Sequence, residues 1–121
     1  MKRAFVLDEY VLSSGLLEDD LEKLRGSLLL IPEGVVRLFE MRASRGDRWA
    51  LNGLYNILKL REIAEGIGAS VKVVEHKGRG VRALEEIAKR EGAKVLTSNS
   101  IRWLGLRARG IPASYLGSQE W

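Results

Sequence analysis

The sequence contains no cysteine and a single histidine, His76. The first absence excludes a disulfide scaffold, a thiolate nucleophile and a thiolate-bound metal. The second excludes the zinc motifs that need two imidazoles. Long apolar runs are missing as well: none approaches the ~20 residues of a membrane-spanning helix, so no membrane role is expected. The opening residues 1–7 are basic at first but meet Asp8 after only four apolar positions. That is too short for a secretory signal, and a cytoplasmic protein is the expectation. What is present is 121 residues, 45% hydrophobic and 30% charged. This is the balance of one globular domain large enough to bury a core of its own, with residues 113–121 as a C-terminal strand or tail.

Charge is unevenly distributed. The net charge is +4, yet residues 1–24 hold three Lys or Arg against six Asp or Glu, and residues 77–109 hold nine against three. A basic second half suits a polyanion such as nucleic acid. From charge alone, a solvated surface rich in Lys, Arg and Glu is the more ordinary reading.

Four short apolar runs read as strands: residues 3–7, 28–31, 70–74 and 94–97. Each is nearly all apolar, the pattern of strands covered on both faces. Helical spacing lies between them. Leu21 and Leu24 stand a turn apart, and Val35, Val36, Phe39 and Ala43 follow Pro32 at helical intervals. Asp47 is placed to cap a long helix carrying Ala50, Leu51, Leu54, Tyr55 and Leu58, which Gly66 and Gly68 end. Val81, Leu84, Ile87 and Ala88 mark another helix, and Ile101, Leu104 and Ala108 a last one, stopped before Pro112. Strands alternating with helices predict a single three-layer α/β/α domain around a central parallel sheet of four to five short strands.

In such sheets ligands gather beyond the carboxyl ends of the strands. Those ends supply Asp8-Glu9, Pro32-Glu33, the turn from His76 to Gly80, and Thr97-Ser98-Asn99-Ser100. Asp8 beside the Thr-Ser-Asn-Ser turn can begin a hard-cation site. From spacing alone, Asp8 capping a following turn and residues 97–99 capping the last helix explain the same residues. His76 reads as a hydrogen-bonding residue at a strand end.

The whole chain, from residue 3 to about residue 116, resembles a PIN domain. That is the fold of many small prokaryotic ribonucleases, including the toxins of VapC-type toxin–antitoxin pairs. The resemblance is carried by Phe5-Val6-Leu7-Asp8, residues 29–36, residues 88–99 and Arg107-Ala108-Arg109-Gly110-Ile111-Pro112. It implies three or four carboxylates holding Mg²⁺ or Mn²⁺, with the metal activating a water to cut a phosphodiester. Asp8 matches the first acid. The second position falls on Leu38, with Glu40 turned about half a helix circumference away, and Glu33 and Glu40 reach the pocket only if the register shifts by a turn. The third position falls on Val81 or Arg82, and the fourth on Asn99, which offers a carbonyl oxygen but no charge. The four aspartates are Asp8, Asp19, Asp20 and Asp47, so the second half has none to give.

The expectation is a PIN-like domain with a degenerate acidic site, less acidic through Arg82 and binding RNA or a protein partner. It needs no cofactor in that state. The alternatives are an active Mg- or Mn-dependent endoribonuclease using Asp8 with nearby glutamates, and a structural or assembly module. Lys77, Arg79 and Arg82, with Thr97, Ser98 and Arg102, are the candidate binding residues. Trp103, among Arg102, Arg107 and Arg109, is a candidate stacking surface for single-stranded RNA. The resemblance also implies a homodimer, and Trp121 is a candidate for packing against a partner chain.

Overall fold

The computed structural model describes residues 2–16, 18–78 and 80–117. The elements run β1 (Ala4–Leu7), α1 (Glu9–Ser14), α2 (Glu18–Lys23), β2 (Leu28–Pro32), α3 (Glu33–Ala43) and α4 (Arg48–Ala64). A short 3-10 turn (Glu65–Ile67) leads to β3 (Ser70–Val74), α5 (Val81–Glu91), β4 (Lys94–Thr97), α6 (Ser100–Ala108) and β5 (Ala113–Tyr115). The strands form one all-parallel sheet in the order β3-β2-β1-β4-β5, with β1 at its centre. No helix among the described residues is long and apolar enough to cross a membrane.

The alternation of each strand sorts its side chains into two layers. Phe5, Leu7, Leu29, Ile31 and Leu96 face one side, where Val11 and Leu12 of α1, Val35 and Phe39 of α3, and Ile57 and Leu60 of α4 cover them. Val6, Leu30, Val74 and Val95 face the other, under Leu84, Ile87 and Ala88 of α5 and Leu106 of α6. The expected three-layer α/β/α arrangement is therefore present.

Local chemistry sets the boundaries. Asp47 caps α4 by accepting the Trp49 amide at 2.9 Å. Gly92 ends α5 in the left-handed conformation, φ 62°, which a side chain would disfavour. Gly53 has a packing reason: a Cβ there would lie 2.4 Å from Phe39 Cε2, so α3 and α4 meet ring against backbone. Phe39 then stacks edge-on against Trp49 at 5.3 Å.

Three details differ from the sequence reading. Residues 9–14 form α1, where only the end of a strand and a turn are legible. Pro32 is the last residue of β2 and the N-cap of α3 rather than part of its first turn. The strand at 70–74 is not covered on both faces: β3 is an edge strand paired with β2 alone, and Ser70, Lys72 and Val73 are exposed.

Candidate functional site

The chain lays down β1, β2 and β3 in one direction, then returns to add β4 and β5 on the other flank of β1. The helix after β1 packs on one face of the sheet and the helix after β4 on the other. Their separation makes the carboxyl ends of β1 and β4 the switch point at which open parallel sheets bind ligands. Leu7 is in register with Leu96, so Asp8 and Thr97, the next residue on each strand, arrive side by side.

Asp8 is fully buried. Its Oδ1 accepts the Val11 amide at 2.9 Å, capping α1, and its Oδ2 accepts the Thr97 hydroxyl at 2.5 Å. Arg102 Nη1 donates to the same Oδ2 at 3.3 Å and also pairs with Glu9 Oε1. The guanidinium lies 4.8 Å over the Tyr10 ring, so it is held on three sides. Asn99 caps α6 by accepting the Arg102 amide at 2.9 Å, while the Asn99 amide donates to Thr97 Oγ1 at 3.1 Å. Ser98 Oγ lies 3.4 Å from Ser14 Oγ, joining the end of α1 to the loop before α6.

Burial pushes the Asp8 carboxyl above its ordinary value. The Thr97 and Val11 hydrogen bonds pull it down, Glu9 pushes it up, Arg102 pulls it down, and burial prevails. For Arg102 burial works against the charge, but Glu9 and Asp8 more than restore it, and the guanidinium stays charged. The result is a closed triad of two acids and one arginine.

That triad does not fit a divalent cation. A hard ion needs several anionic oxygens free to turn toward it. Both oxygens of Asp8 are already engaged, Glu9 is held by Arg102, and the positive charge is supplied by a side chain. Among the described residues no group of three or more His, Asp or Glu is arranged to hold a metal ion. Glu33 pairs with Arg37 at 2.7 Å on α3, and Glu40 is exposed further along that helix. Leu38 is half-buried, and Val81 packs against the second core layer.

Arg82 is not the arginine of this switch point. Its side chain is 87% exposed and pairs with Glu86 at 3.3 Å. Glu86 also lies 2.6 Å from His76 Nε2, and the His76 contact is the main cause that lowers its carboxyl below the usual value. The Gly78 amide donates to His76 Nδ1 at 2.9 Å, which leaves the proton on Nε2 to face Glu86. Lys77 is exposed in the same turn; Arg79 and Trp121 lie outside the described residues. Trp103 is not a free stacking surface: its indole donates to the Ala113 carbonyl at 3.2 Å and its ring lies 6.0 Å from Tyr115.

The structural role of Arg102 has a faint local signal. α6 has no acid in its first turn, and an arginine there opposes the positive end of the helix. A cation so placed needs a carboxylate from elsewhere in the fold.

No protein-family model matches the chain, and no curated protein matches it. Among solved structures, a domain of a functionally unknown protein from Methanocaldococcus jannaschii DSM 2661 superposes with a TM-score of 0.78. It is 25% identical, with 98% of this chain and 94% of that chain covered. A PilT N-terminus (PIN) domain protein from the hyperthermophilic archaeon Sulfolobus solfataricus P2 is a distant neighbour, with a TM-score of 0.45 and 12% identity over 93% of this chain and 87% of that one.

Proposed function

We propose that the chain is a PIN-like domain that does not cut phosphodiesters and works by holding a second protein chain. The observation that carries the first half is the closure of the switch point by Arg102, which takes up Asp8, the carboxylate that would begin a metal site, together with its neighbour Glu9. The Asp8-to-Asn99 constellation then serves to cap α1 and α6 and to fix them on the sheet.

The second half rests on α4. One face of this helix is in the core through Ala50, Gly53, Ile57, Leu60 and Ala64. On another, Leu51, Tyr55 and Leu58 recur at helical spacing and are 44%, 60% and 54% exposed. A helix apolar on both sides suits burial on both sides, and a contiguous apolar patch suits a protein interface. A second copy of this chain is the occupant proposed. RNA binding is the weaker reading, because Trp103 is engaged within the fold and only charge remains to support it.

The first test incubates the protein with mixed RNA and Mn²⁺ beside Asp8→Asn and an EDTA control. The expected result is no cleavage above the Asp8→Asn background; EDTA-sensitive cleavage lost in Asp8→Asn refutes the non-catalytic reading. The second test measures mass in solution by light scattering. A dimer is expected for the wild type and a monomer for Leu58→Glu; a monomeric wild type refutes the self-association.

A further inference from the structure

A cleft lies at the opposite end of the sheet, at the amino ends of β1 and β4. It has a volume of about 670 Å³ and is walled by the ends of α5 and α6. Arg3, Lys89, Lys94 and Arg109 line it, with Glu85 as the one acid. Glu85 is already paired with Lys89 at 3.2 Å. Arg3 donates to the Lys23 carbonyl and lies over Phe5. Lys94 and Arg109 make no side-chain hydrogen bond or ion pair with any described residue.

Cations near helix C-termini have an ordinary use, since each such end carries roughly half a negative charge. Two helices end at this cleft, so that demand amounts to about one charge. Four cations facing one acid exceed it. Between them the floor is apolar, formed by Ala88, Ala93, Ile111 and Pro112. Uncompensated cations at the rim and an apolar floor within a volume typical of small-ligand sites match a phosphate attached to a flat ring.

We propose that this cleft binds a nucleotide, its phosphates held by Lys94 and Arg109 and its base on the apolar floor. The site is separate from the switch point and from α4, and the inference stands independently of the function proposed above. The nucleotide is either free or part of an RNA strand, and the two sources share this chemistry.

Titration calorimetry at low salt with ADP, inorganic pyrophosphate and an oligouridylate tests it. ADP is expected to bind at least about tenfold more tightly than pyrophosphate, a difference of ~1.4 kcal/mol. Reversing charge in a Lys94→Glu/Arg109→Glu variant is expected to weaken ADP at least about tenfold while the circular-dichroism spectrum and a cooperative melt show the variant still folded. Arg82→Glu, a charge reversal at the amino end of α5 and outside the cleft lining, should leave binding as it is. Tighter binding of the oligouridylate than of ADP, lost in the same variant, assigns the site to a strand and also upholds the proposal. The proposal fails if neither nucleotide probe binds, if pyrophosphate binds as well as ADP, or if Arg82→Glu costs as much as the double variant.

Discussion

At the carboxyl end of β1 and β4, buried Asp8 and half-buried Glu9 and Arg102 pack against one another, and each finds its counter-charge within the fold. At the amino end of the same two strands, Lys94 and Arg109 face an open cleft with no acid of their own. The same pair of strands thus ends in two opposite electrostatic states. A switch point is a place for a ligand only while its charges are unspent. Here the fold has used them for its own cohesion, and the unspent charge sits at the other end.

Arg102→Ala tests that contrast most severely. It leaves two acids without a counter-charge and removes the plate stacked on Tyr10, and a loss of about 3 kcal/mol is expected in urea denaturation. Asp8 can take up a proton in response, so an NMR titration of the variant should place its carboxyl higher still. Thr97→Val is next. It deprives a buried carboxylate of a hydroxyl donor and the Asn99 amide of its acceptor, with an expected loss of about 2 kcal/mol.

Asp8→Asn is milder, because asparagine also caps a helix, and at neutral pH a change within about 1 kcal/mol is expected. Its signature is pH dependence. The folded-state carboxyl is raised above 3.8, so the folded protein keeps that proton to higher pH than the unfolded chain does. The stability this group contributes is full below the unfolded value and is lost as pH rises through the folded one. The difference in urea midpoint between wild type and Asp8→Asn should trace that loss; a flat difference contradicts the burial argument. The smallest effect belongs to the other end: Lys94→Ala and Arg109→Ala lose no hydrogen bond or ion pair with a described residue, only a weak attraction to a helix end, and their stability should fall by no more than about 0.5 kcal/mol.

Much of this was legible in the sequence. The strand runs, the cap at Asp47 and the joint placement of Asp8 and Asn99 at the end of the sheet follow from local pattern, and the capping roles of both are realised. What escaped was tertiary. α1 buries only Val11 and Leu12 in six residues, too short for a helical period to appear. The edge position of β3 depends on strand order, which its valines cannot encode. Arg82 and Arg102 are alike as letters, and which of them meets Asp8 is decided by α6 starting beside β1 while α5 starts elsewhere. Trp103 stands among arginines in sequence, but its ring turns inward to Tyr115.

The Arg102 pair also has a consequence in time. Thr97 and Arg102 follow Asp8 by 89 and 94 residues, whereas β2 follows β1 closely. On a growing chain, Asp8 can enter the β1–β2 pair long before its counter-charge has been synthesised. Closing so long a loop costs more entropy than pairing β1 with β2, and the triad is expected to form late, after the transition state has been crossed. Its strength then governs how long the finished molecule stays folded more than how fast it folds, and weakening Arg102 should show as faster unfolding at an unchanged folding rate.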